Sequence, residues 1–144
     1  MKADAAYFAA FVICAGSAAA SDFCTDLQNL QASVGGVELA LPGTSNAVTC
    51  TQSLMLSGGT QLNCGWPFAY RAPQAADTFE GLVVAVTQCL GDGAVVTTDL
   101  NVNHPDFYDL QTFRAGGQEI GVSLKDKAAL SETYVFLRVT FLPK

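Results

Sequence analysis

The chain has 144 residues, half of them hydrophobic, with 13 acidic against 7 basic side chains and a formal net charge of −6. Like charges repel, so that balance excludes a nucleic-acid or anionic-lipid binder that lacks a local basic patch. No run of the sequence supplies one: Lys125 and Lys127 flank Asp126. The supply of Leu, Val and Phe is enough for a packed core and excludes a disordered chain.

Residues 1–20 read as a secretory signal peptide. Lys2 begins it and an apolar run covers residues 5–16. Ser17-Ala18-Ala19-Ala20 then offers the small side chains that signal peptidase accepts, so cleavage is expected after Ala20. The apolar run falls short of the about 20 residues a membrane span needs, and nothing after Ser21 approaches that length. The expectation is a periplasmic or secreted protein with no membrane association after cleavage. A cut after Ala20 leaves 124 of the 144 residues, residues 21–144, which suits a single domain.

Residues 22–34 are predicted to form a short helix, with Leu27, Leu30 and Val34 on one stripe and Gly35-Gly36 ending it. Pro42-Gly43 punctuates the loop that follows. Two strands are expected at 47–56 and 61–70, joined at Ser57-Gly58-Gly59-Thr60 in a hairpin whose glycines accept positive φ. Residues 72–90 read as the main helix. Pro73 suits its first turn, Gly91 sits where a C-terminal cap belongs, and Phe79, Leu82, Val83, Val86, Cys89 and Leu90 repeat at helical spacing. The β-branched run of Val83, Val84 and Val86 pulls the other way.

Residues 92–105 form a polar loop with room for a short strand at 95–98. A three-stranded meander then closes the chain, at 106–114, 119–125 and 132–141, with its first turn at Ala115-Gly116-Gly117-Gln118. In the last strand Thr133, Val135, Leu137, Val139 and Phe141 share one face, while Tyr134, Phe136 and Arg138 share the other. That places the strand in the sheet interior. The order α-β-β-α-β-β-β predicts an α+β domain: an antiparallel sheet with helices on one face.

The signal peptide takes Cys14 with it and leaves Cys24, Cys50, Cys64 and Cys89, an even set that an exported chain uses as two disulfides. Their spacings of 26, 14 and 25 residues are far from the close pairs of zinc sites. A strand rising about 3.3 Å per residue from Cys64 and a helix returning about 1.5 Å per residue to Cys89 bring these two to one level. That favours Cys64–Cys89 with Cys24–Cys50, over Cys50–Cys64 with Cys24–Cys89.

Chemistry-bearing motifs are few. His104 is the single histidine, and no G-x-S-x-G elbow accompanies it, so His104-Pro105 reads first as a turn. Asp99, Asn101 and Asn103 start like a calcium loop, but His104 stands where glycine is needed and Leu110 where the bidentate glutamate belongs. No phosphate or dinucleotide loop is present, and no metal or cofactor is expected.

The segment from Cys64 to Arg71 carries Trp66, Phe68 and Tyr70 at a spacing of two. Sharing one strand face, they are expected to pack under a helix. As contact anchors, Trp66, Tyr70, Arg71 and His104 are the binding candidates. The expected function is that of a small exported, disulfide-stabilised binding or accessory protein of the cell envelope, inhibitor- or immunity-like, whose partner is another envelope or secreted protein. The alternatives are a small secreted hydrolase using acidic residues near His104, and a structural envelope component presenting a free sheet edge.

Overall fold

The computed structural model describes residues 17–30, 36–99 and 108–142. The sheet is built around the last strand, β7 (Glu132–Phe141). Thr133, Val135, Leu137, Val139 and Phe141 are all buried, the face that the period of two marks out. Along its whole length β7 pairs with β3 (Thr60–Ala69) on one side and β6 (Gln118–Lys127) on the other. Beyond β3 lie β2 (Ala47–Leu54) and β1 (Val37–Ala40); beyond β6 lie β5 (Tyr108–Ala115) and β4 (Val95–Asp99). Among the described residues the result is one seven-stranded sheet in the order β1-β2-β3-β7-β6-β5-β4, antiparallel throughout.

Among the described residues two α-helices complete the α+β architecture. In α2 (Pro73–Leu90), Ala75, Phe79, Leu82, Ala85 and Val86 are buried. The β-branched run stays helical because this stripe is covered: tertiary burial outweighs a weak local preference. In α1 (Ser17–Asn29), Phe23 and Leu27 are buried, as is Leu30 just beyond its end. This helix is described over Ser17–Asn29, beginning ahead of the expected residue 22, and the last expected residues, 31–34, lie outside the described residues. At 4 residues, β1 is too short to show a period of two, and no local pattern announces it. Leu39, fully buried, is what it contributes to the core. Trp66 is also fully buried. At about 200 Å² and roughly 25 cal/mol per Å², it alone supplies a gross gain of about 5 kcal/mol.

The disulfides correct the favoured pairing: Cys24 bonds Cys89 and Cys50 bonds Cys64. Two geometric errors account for this. A turn at residues 57–60 would set Cys50 opposite Pro67. The hairpin loop is instead residues 55–59, with Leu54 opposite Thr60, and this register carries Cys50 to Cys64, Cα atoms 4.3 Å apart. That is close to the about 4.5 Å of a non-hydrogen-bonded antiparallel pair. Bringing Cys64 and Cys89 to one level also requires α2 to lie over its own strand. It links β3 to β4, at the far edge of the sheet, and so must cross the sheet. Cys89 therefore arrives near Ala115, Gly116 and Gln118 of the β5–β6 hairpin, where Cys24 of α1 meets it.

Candidate functional site

Strand alternation sends half of the sheet's side chains away from the core, onto a face that no described helix covers. Three rows run across β3, β7, β6 and β5 on this face. They are Pro67-Tyr134-Lys125-Tyr108, Gly65-Phe136-Ser123-Leu110 and Asn63-Arg138-Gly121-Thr112. The rings of Tyr134 and Phe136 stack with centroids 5.3 Å apart and planes 7° from parallel. Gly65 lets the Phe136 ring lie flat here, whereas Gly121 leaves ordinary contact room beneath Arg138. A Cβ on Gly65 would come 2.9 Å from the Phe136 ring, and one on Gly121 would come 3.6 Å from a terminal nitrogen of Arg138. A depression of about 210 Å³ results, bordered by Asn63, Tyr108, Ser123, Lys125, Phe136 and Arg138.

The electrostatics of this face run against the net charge. Arg114, Lys125, Lys127 and Arg138, four of the 7 basic residues, take outward strand positions by alternation. Arg114 is held by Glu119, Nη2 to Oε2 2.7 Å. The Arg138 side chain has no hydrogen-bond or ion-pair partner among the described residues, and the Lys125 ammonium rests 5.6 Å from the Tyr108 ring centroid. Glu132 accepts a short hydrogen bond from the Tyr134 hydroxyl. That bond, helped by burial and the carboxylate charge, holds the phenol above its ordinary value. The helices carry the opposite sign, with Asp22 and Asp26 on α1 and Asp77 and Glu80 on α2. No stretch of sequence contains this basic cluster. Pairing of β6 with β7 assembles it.

The sequence-predicted residues are dispersed. Trp66, a binding candidate, is 0% exposed and cannot touch a partner. Its Nε1 donates to the Asn46 carbonyl at 3.3 Å, and its role is core packing. Phe68 is half-buried and Tyr70 is exposed at the strand's end, so the three aromatics leave the core in steps. The Arg71 guanidinium carbon stands 5.0 Å from the Tyr70 ring centroid, and Arg71 Nε donates to Asp126 Oδ2 at 2.8 Å. This bond raises the guanidinium further above its already high value. Asp126 Oδ1 accepts from Thr133 Oγ1 at 2.7 Å. His104, Asn101 and Asn103 lie outside the described residues, as does the Asp99 side chain.

Asp109 occupies a core-side position of β5, since Phe113 on the same alternation is buried. Its Oδ1 is buried without a hydrogen-bond partner among the described residues, and burial holds its carboxyl above the usual carboxylate range. Among the described residues no group of three or more His, Cys, Asp and Glu could hold a metal ion. No described helix is long and apolar enough to cross a membrane. The chain matches no family model, no curated protein and no solved structure.

Proposed function

We propose that this is a small exported, disulfide-stabilised binding protein of the cell envelope, inhibitor- or immunity-like in its mode of action, that engages an acidic surface of another envelope or secreted protein. The observation that supports this reading is the stacked Tyr134–Phe136 pair set between Lys125 and Arg138 on the uncovered face of the sheet. Aromatic and arginine side chains bury large areas and offer directed polar tips, which makes them the usual anchors of protein interfaces. Two disulfides agree with an oxidising compartment.

The test is crosslinking with mass spectrometry, using the mature protein added to its own envelope extract. Wild type and an α2 variant, Glu80→Lys, should capture the same partner, and Arg138→Glu should lose it. Equal capture by Arg138→Glu would sink the reading. Intact mass of the exported protein should begin at Ser21.

A second reading, a small secreted hydrolase using acidic residues near His104, draws support from Asp109. A carboxyl with a raised pKa is suited to general-acid work. It predicts an activity that Asp109→Asn abolishes in a protein that remains folded.

A further inference from the structure

On the helix side of the sheet, away from the open face, a solvent-open hollow of about 440 Å³ lies between the start of α2 and the strands β6 and β7, with the Arg71 side chain 60% exposed at its rim. Its walls are small and apolar, with Ala72, Pro73, Ala76 and Leu124 among them. Among the described residues Arg71 is the only cation of the lining. A volume of a few hundred Å³ with apolar walls and a few convergent polar groups is what small-molecule sites have in common.

Arg71 is held in place from two directions. Its backbone takes a left-handed conformation, φ 55°, which a non-glycine residue keeps only when its surroundings impose it. Here its N–H donates to Thr133 Oγ1 at 2.8 Å, and the same hydroxyl donates to Asp126 Oδ1 at 2.7 Å. Asp126 Oδ2 in turn fixes Arg71 Nε. Both Asp126 and Thr133 are buried, at 4% and 2% exposed. The guanidinium is thus oriented through Nε alone, and among the described residues its two terminal nitrogens have no hydrogen-bond partner. Two parallel N–H groups on a planar fork match a carboxylate.

We propose that this cavity binds a small amphipathic monocarboxylate, its head group on the two terminal nitrogens of Arg71 and its apolar tail against Ala72, Ala76 and Leu124. Asp126 cancels the formal charge of Arg71, so recognition rests on the directed pair of hydrogen bonds and on burial of the tail. An ammonium head group has no acceptor to offer, and a single hydroxyl oxygen does not span the two nitrogens as the two oxygens of a carboxylate do. The site is separate from the open sheet face and does not depend on a protein partner.

Octanoate, octan-1-ol and octylamine are the probes, titrated into the mature protein by calorimetry and followed by amide NMR shifts. Octanoate should bind with one-to-one saturation, at least tenfold more tightly than either control, and shift amides around Arg71 and Ala76. Ala76→Leu places a good helix former at an exposed α2 position, narrows the cavity, and should weaken octanoate at least tenfold while the protein stays folded. Arg71→Lys keeps the charge but loses the fork, and should remove the preference for octanoate over octanol. No saturable octanoate binding to wild type, binding unchanged by Ala76→Leu, or octanol binding as tightly as octanoate would each overturn the proposal.

Discussion

The Phe136 ring occupies the space above Gly65: a Cβ added to that glycine would fall 2.9 Å from Cε1 and 3.0 Å from Cδ1 of the ring. The two residues face each other across β3 and β7, and the absent side chain on one strand is what lets the other lie flat and reach Tyr134. Gly65→Ala should therefore push the ring away. Alanine favours the extended chain more than glycine does, so the two effects nearly offset and stability should stay within about 1 kcal/mol. The readout is the ring-current shift of the Tyr134 protons, expected to diminish in the variant. Unchanged shifts would mean that the glycine does not seat the ring.

Trp66 offers the sharpest test of the core. Replacing it with alanine removes a fully buried ring and its bond to the Asn46 carbonyl. The expected cost is about 3 to 5 kcal/mol, from lost burial and the cavity left behind. Denaturant melts of oxidised protein measure it, and a midpoint close to wild type would contradict the buried placement.

The two disulfides should separate under mild reduction. Cys50 and Cys64 are 0% and 1% exposed, whereas Cys24 and Cys89 are each partly exposed. Thiol exchange needs access to a sulfur, so Cys24–Cys89 should open first in the folded protein, seen by alkylation and peptide mapping. It also closes the larger loop, 65 residues against 14. Chain entropy then predicts a stabilisation of about 4 kcal/mol against about 3 kcal/mol. Earlier alkylation of Cys50 and Cys64 would reverse the assignment of exposure.

Asp109 gives the pH dependence. Burial raises its carboxyl above the ordinary value of 3.8, so the folded chain holds this proton to a higher pH than the unfolded chain does. The stabilising contribution is complete below the unfolded value and lost as pH rises through the folded one. Asp109→Asn cannot ionise, so its stability relative to wild type should improve between pH 3 and pH 7. The gain should be under about 1 kcal/mol, because a partly exposed carboxylate is screened. Melts at the two pH values measure it, and a constant difference would remove the burial argument.

What the sequence by itself determined here is whatever a local period can carry. The five alternating residues from Thr133 to Phe141 sit on one face because a strand turns its side chains through a half-circle at each step. The helix from Pro73 to Leu90 declares itself through Phe79, Leu82 and Val86 at helical spacing. Gly116 and Gly117, with φ of 57° and 79°, make the two-residue turn that their composition announces. The hairpin and the closing meander were legible locally; tertiary structure alone decided that β7 also pairs with β3, that α2 crosses the sheet, and how the cysteines are joined. The pairing depended on a hairpin register set three residues away from its expected place and on a helix that crosses the sheet. Arg138 and Lys125 share one face only because β6 and β7 pair as they do. Arg71 finds Asp126 across a sequence separation of 55 residues. Contacts of that span arise when burial of the whole core selects one arrangement of strands, and no window of local sequence contains that choice.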